Sequence, residues 1–271
     1  MLTLDIAIIT YRPEGISRLA ERDLPVVPGI SYVISWQDHR GLDVPPALLR
    51  HDIKVVRCDE PGLSNNRNKS IENCTSDIIL IADDDITHDY DALQRLISVF
   101  EQNPGLDVAT FRSIHPSGVV YPDIPCRLSL PYPKGYSVTS FEIAMRRKTA
   151  GHLRTCPELG LGSLRFHAGE DEMLLLSAIK RGLDCRFYPI TICTHAHVST
   201  GSKDHLTDGN LLAAGCVIAL TYPASCILRI PLKAWRVSRR GQAQLLHALG
   251  QLTLGAFAAP ALLRRNRDTL W

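Results

Sequence analysis

Residues 78–90 read IILIADDDITHDY, an apolar run that ends in three consecutive aspartates. Asp83, Asp84 and Asp85 repel one another, and adjacent ionised carboxylates raise each other's pKa unless positive charge sits among them. Either the triplet is a solvated turn without a chemical role, or it holds a cation. Ile78–Ala82 has the length and composition of a strand buried in a parallel sheet. In open α/β sheets ligands bind beyond the carboxyl ends of the strands. The acids follow such an end, where a D-x-D pair offers hard oxygen ligands to Mg2+ or Mn2+.

Outward from that strand, Leu4–Thr10, Tyr32–Ser35, Ile53–Cys58 and Val108–Phe111 are further short β-rich runs. Ser64–Asn73 and Asp91–Gln102 read as helices. In the second, Leu93, Leu96, Ile97 and Phe100 share one face, and Asn103-Pro104-Gly105 stops it. Strand–helix–strand alternation predicts an α/β fold with a Rossmann-like, mostly parallel sheet. Residues 115–136, with five prolines and no period, predict a long loop of the kind usually tied to function. Beyond it "SFEIAMRRK" (140–148) resumes strand-like order. "GEDEMLLLSAIKRG" (169–182) is a helix with acids in its first turn, and "DCRFYPITICTHAH" (184–197) is a final strand.

The 271 residues suffice for one large domain with an appendage, and 45% apolar with 21% charged residues is ordinary for a globular protein. A net charge of +2 hides an asymmetry: the segment from Arg229 onward carries about +7 and the rest about −5. The acidic remainder argues against nucleic-acid binding, while the basic end suggests an anionic surface. Eight cysteines without metal-type spacing imply reduced thiols in a cytoplasmic compartment. The opening MLTLDIAIITYRPEG lacks a basic region and is not a signal peptide, so the sequon at Asn73 is expected to be silent.

Leu211–Leu228 and Leu245–Leu263 are uncharged and near membrane-spanning length, but Pro223 and Pro260 are expected to interrupt them. Flanking basic residues favour helices lying in the interface of an anionic membrane over helices that pack on the rest of the protein or span the bilayer. Residues 206–271 are therefore set apart from 1–205 as a helical, membrane-associated region.

Three more stretches can bear chemistry. "GLSNNRNKSI" (62–71) starts a helix with Arg67 and Lys69 close by, a natural anion edge, or simply a capped surface helix. "GLGSLRFHAGEDE" (160–172) delivers Glu170 and Asp171 to a helix N-terminus, where a carboxylate is stabilised and can act as general base. His195 and His197, at i and i+2, share one face of a strand and could complete a metal shell.

Taken together, "ITYRPE" after the first strand, "GLSNNRN", "IADDDI" and a "GEDE" about 85 residues later resemble the family 2 inverting glycosyltransferases of GT-A fold. The resemblance runs from Ile6 to about residue 205 and makes 1–205 a catalytic domain. It implies a nucleoside-diphosphate sugar as donor, UDP favoured, and Mn2+ or Mg2+. The basic, apolar C-terminus points instead to a glycan or lipid-linked acceptor and to a place on the inner face of the cytoplasmic membrane. By that resemblance Asp85 binds the metal, and Asp83 contacts the ribose and the metal's water shell. Thr10, Tyr11 and Arg12 match the loop that cradles the nucleotide, and Asn65 and Arg67 the helix that borders it. Asp84 is grouped with the nucleotide-binding set without a specific contact. Asp171 matches the catalytic base with Glu170 as its neighbour, and His195 or His197 completes the metal site. The segment "SWQDHRG" (35–41) departs from the family pattern and leaves Asp38 without a clear role in base recognition. Two alternatives stand beside this: a sugar-phosphate nucleotidyltransferase, disfavoured by "TYRPEG" after the first strand, and a non-catalytic membrane scaffold.

Overall fold

The computed structural model describes residues 1–22, 24–114, 123–133, 136–195 and 206–271. The elements, in order, are β1 (Leu4–Tyr11), α1 (Arg12–Glu21), β2 (Ile30–Gln37), β3 (Ile53–Cys58), α2 (Leu63–Glu72), β4 (Ile78–Asp83), β5 (Ile86–His88), α3 (Tyr90–Gln102) and β6 (Val108–Ile114). There follow β7 (Cys126–Arg127), β8 (Ile143–Arg146), α4 (Arg147–Ala150), α5 (Glu170–Lys180), β9 (Cys185–His195), α6 (Asp208–Thr221), α7 (Cys226–Arg239), α8 (Leu245–Arg265) and α9 (Arg267–Leu270). The chain forms two compact units: Met1–Pro61, Asn65–Leu153 and Ala178–His197 in the first, and Gly62–Ser64, Arg154–Ser177 and Val198–Trp271 in the second. Compactness thus does not follow the boundary expected at 205/206, because Arg154–Ser177 groups with the C-terminal helices.

In the first unit the sheet runs β3-β2-β1-β4-β8-β6-β9-β5, with β7 on β9. β3, β2, β1 and β4 are parallel, as the sequence pattern predicts. Beyond β4 the sheet is mixed: β8 is antiparallel to both neighbours, β9 is parallel to β6, and β5 is antiparallel to β9. A parallel return needs a long crossover, usually helical. The described part of the connection from β6 to β8 has no α-helix, and β8 comes back antiparallel. Ile6, Ile8, Ile34 and Leu80 from the sheet form one buried cluster with Ile16 and Leu19 of α1 and with the predicted α3 face, Leu93, Leu96, Ile97 and Phe100.

Two local expectations are corrected. No loop separates β1 from the next element: Thr10 and Tyr11 end the strand and Arg12 begins α1, whose early Pro13 fits a helix start. The predicted loop at 115–136 contains strand β7, paired antiparallel with β9; its residues 115–122 and 134–135 lie outside the described set.

In the second unit α6, α7 and α8 share a small core of Leu211, Ile230, Ala234, Val237, Ala248 and Leu252. Helices α6 and α8 meet backbone to backbone. A Cβ added at Gly215 would lie 1.9 Å from the Leu252 carbonyl oxygen, and one at Gly255 2.0 Å from that of Leu212. Pro223 does break the first apolar run, and the two helices flanking it are bent by 114°. Pro260, by contrast, sits inside the continuous α8, so the second predicted interruption is absent. Length and composition make α8 the one described helix able to cross a membrane unaided, with 28% of its apolar window buried in the fold.

Candidate active site

The parallel strands of the first unit bring their carboxyl ends to one edge. Register pairs Ile9 with Asp83, Thr10 with Trp36 and Tyr11 with Gln37, so Arg12, Asp38 and the aspartate triplet leave the sheet side by side. The non-glycine residues with left-handed backbone among those described, Arg12, Asp38 and Arg40, all fall just past β1 and β2 (φ +66, +53 and +51°). Such conformations are costly and concentrate where function demands them. Arg12 Nε lies 3.5 Å from Asp38 Oδ2, its guanidinium stacks 4.8 Å from the Tyr11 ring centroid, and its carbonyl accepts from Trp36 Nε1. Asp38 is thereby placed on this edge, beside the strand-one residues.

Each aspartate of the triplet has its own partner, which answers the electrostatic problem posed by the sequence. Asp83 Oδ1 faces Nη2 of the buried Arg67 at 3.4 Å, and the same nitrogen donates to Ser140 Oγ at 2.9 Å. Asp84 accepts from Thr10 Oγ1 at 2.6 Å and from Arg18 Nη2 through both oxygens, while Arg22 donates to its carbonyl. Asp85 Oδ2 lies 3.2 Å from His195 Nε2, with the His195 ring stacked on Phe141. The register pair Ile86–His195 brings the end of β9 to the turn.

These contacts redistribute the expected roles. Asp84 and the Thr10 hydroxyl bond each other, and Asp84 also pairs with α1, so both side chains help to hold the acidic turn. Asn65 Nδ2 caps its own chain at Pro61 O, whereas the neighbouring Asn66 is buried and donates to Thr10 O. Its Oδ1 has no hydrogen-bond partner. Among the described residues no three His, Cys, Asp or Glu side chains converge as a metal cluster. Asp83 pairs with Arg67 and does not join Asp85 and His195 as a third ligand; His197 lies outside the described residues.

Asp85 Oδ1 is buried and has no hydrogen-bond partner. A hard oxygen left unsatisfied beside an imidazole suits a divalent cation, since Mg2+ is usually held by one or two protein groups plus waters and phosphates. The pair therefore fits the implied metal as a site that substrate would complete.

Glu170 and Asp171 belong to the second unit, in the first turn of α5. Gly160, at φ +93°, closes on the Glu170 carboxyl so tightly that an added Cβ would lie 2.9 Å from its Cδ. The glycine-rich segment is tied down on both sides. Leu63 N donates to Leu161 O, and Ser64 Oγ to Leu159 O. Glu158 accepts from Arg265 Nε and Nη2 at 3.0 and 2.5 Å and from Asn266 Nδ2 at 2.7 Å. Those bonds, Arg265 foremost, hold the Glu158 carboxyl below its ordinary value. His167 N donates to Gly209 O of α6, and Asn210 Nδ2 donates to His167 O. The C-terminal helices thus grip the segment that delivers Asp171.

Residues 44–154 match the family model described as "Glycosyl transferase family 2". Over that segment the chain is similar to the family 2 glycosyltransferases. Solved structures share the fold of this chain at low identity. TarS 1–349 of S. aureus, in complex with UDP-GlcNAc, has a TM-score of 0.58 at 13% identity over 99% of this chain and 88% of that one. Glucosyl-3-phosphoglycerate synthase from Mycobacterium tuberculosis with Mg2+ and UDP gives 0.51 at 16% identity, covering 90% and 81%. The same enzyme with Mn2+, UDP-Glc and phosphoglyceric acid gives 0.52 at 15%, with the same coverage. Among curated proteins no match is found. The family match favours the transferase reading over the nucleotidyltransferase and scaffold alternatives.

Sequence reasoning missed Arg18, Arg22 and Ser140. The signal for the first two is an i, i+4 basic pair, Arg18 in α1 and Arg22 at its C-cap.

Proposed function

We propose that this glycosyltransferase is metal-dependent and inverting, and that it moves a sugar from a nucleoside-diphosphate donor, UDP favoured, to a hydroxyl of a glycan or lipid-linked acceptor in cell-surface polysaccharide synthesis. The observation that carries the reading is Asp85 Oδ1, buried and unpartnered in a turn whose other two carboxylates already have cationic partners. The nucleotides and metals bound by the two relatives support the choice of UDP and of Mg2+ or Mn2+.

Asp85 and His195 would hold the cation, and Asp83, fixed by Arg67, would face the ribose. The cation, when bound, supplies Lewis-acid stabilisation of charge growing on the departing diphosphate. Tyr11, about half exposed, and Arg12 present an aromatic face and a cation at the strand edge for the nucleotide. Asp171 would take the proton of the acceptor hydroxyl as that oxygen attacks the anomeric carbon opposite the leaving group, which inverts C1. Glu170, buried against Gly160, would hold the start of α5 in place. All eight cysteines are unpaired, which supports a cytoplasmic site of action on the inner face of the membrane.

The test is a panel of UDP-, GDP- and TDP-sugars with Mg2+, Mn2+ or chelator, followed by thermal melting and donor hydrolysis. A stabilising shift that needs both metal and one nucleotide is expected. A shift indifferent to chelator would overturn the metal dependence; no shift and no hydrolysis with any donor would overturn the reading.

A further inference from the structure

Helix α7 has two apolar faces, and the fold uses one of them. Ile230, Ala234 and Val237, at i, i+4 and i+7, are buried against α6 and α8. Ile227, Leu228, Leu232 and Trp235 form the other face and are 76, 74, 45 and 47% exposed. One apolar stripe is enough to seat a surface helix, so a second contiguous one marks a surface that something else covers. At 100° per residue, Arg229, Arg236 and Arg240 line one edge of the exposed stripe and Arg239 falls within it. The stretch 226–244 holds five basic residues and no acid. Arg236, Arg239 and Arg240 make no ion pair among the described residues, and the Arg239 guanidinium sits 5.1 Å from the Trp235 ring centroid. Helix α8 adds its own exposed stripe, Leu246, Leu254 and Phe257, which ends at Arg264.

We propose that this face is a membrane-docking surface. Helix α7 lies along an anionic bilayer, with Leu228, Leu232 and Trp235 at the boundary of headgroups and acyl chains and the arginines on lipid phosphates. Charge decides the occupant. A face that is apolar, uniformly basic and free of acids matches an anionic lipid surface, and an indole beside a guanidinium suits the interface. Lying fits better than spanning. At 14 residues α7 is about 21 Å long, short of a hydrocarbon core of about 30 Å, and it leaves α6 at 114°. Helix α8 is long enough, but its Gly255 face is locked onto α6 at backbone distance. The inference deepens the membrane-proximal part of the proposed function and rests on it only for the compartment.

The full-length protein, without donor, is sedimented with phosphatidylcholine vesicles with and without phosphatidylglycerol. Binding is expected only with phosphatidylglycerol and should weaken as salt is raised. Leu232→Glu with Trp235→Glu, and separately Arg236→Glu with Arg239→Glu, should each lower partitioning at least tenfold while leaving the melting temperature and donor hydrolysis in solution unchanged. Three results would overturn the proposal: no partitioning into anionic vesicles, partitioning that both double variants retain, or a dimer in solution that the apolar variant dissociates. Loss of vesicle binding with donor hydrolysis intact removes only this surface. Vesicle binding without hydrolysis of any donor removes only the transferase reading.

Discussion

Nη2 of Arg18 lies 3.1 Å from both carboxylate oxygens of Asp84, while Thr10 Oγ1 reaches one of them at 2.6 Å. The middle aspartate is thus the anchor that ties the acidic turn to β1 and α1. Arg18 is more than half exposed, so its ion pair contributes little, whereas the Thr10 bond is largely screened from water. Asp84→Ala should cost about 2 kcal/mol, the scale of a hydrogen bond to a charged group, and lower the melting temperature by roughly 5 °C. Donor KM should rise more than kcat falls, and Asp84→Asn should recover most of the stability. Equal effects of the two variants on the melt would contradict the anchoring role.

Asp85 and Asp171 should separate cleanly in binding and turnover. Asp85→Asn is expected to weaken metal-dependent donor binding by at least tenfold in calorimetry, about 1.4 kcal/mol. Asp171→Asn should leave that binding within twofold of wild type and reduce transfer by 10²-fold or more, the usual scale for a missing general base. Retention of more than a few per cent of the wild-type rate in Asp171→Asn would assign the base elsewhere.

What the sequence made legible, and what it did not, follows from the range of the interactions. β4 and α3 were readable because their apolar residues repeat locally, and every predicted α3 core residue is buried. The partners of the triplet were unreadable because Arg18 is 66 residues from Asp84 and His195 is 110 from Asp85. Neither pairing leaves a periodic trace. The start of α1 was hidden because it follows β1 without a spacer, at a left-handed Arg12 that no propensity predicts. Pro260 misled in the other direction: it sits exposed inside a continuous α8.

His88 gives a pH dependence of definite sign. Burial, with Arg22 adding to it, pushes its imidazole from 6.5 down to about 4, and its Nε2 is buried without a partner. Between those values the unfolded chain binds a proton that the folded chain refuses. Stability is therefore full above 6.5, falls as pH drops through the window, and levels off below about 4. Urea denaturation near neutral pH and at roughly pH 5 should show the loss in wild type and a smaller one in His88→Gln. An unchanged pH slope in the variant would place the dependence on other groups.

Two glycines in the C-terminal helices should respond with opposite signs to the same substitution. Gly→Ala inside a helix ordinarily stabilises by up to about 1 kcal/mol, because alanine loses less backbone freedom on folding. Gly250 in α8 has nothing within 4 Å of an added Cβ, so Gly250→Ala should raise the melting temperature. At Gly215 the Cβ would lie 1.9 Å from the Leu252 carbonyl oxygen, and backbone cannot swing aside as a side chain can. Gly215→Ala must therefore push α6 and α8 apart, at a cost of about 1–3 kcal/mol. Because His167, Gly209 and Asn210 couple α6 to the segment carrying Asp171, the strain should also reach turnover. Thermal melts and donor kinetics on the two variants decide the matter, and a stabilised Gly215→Ala would show that the helices are not in backbone contact.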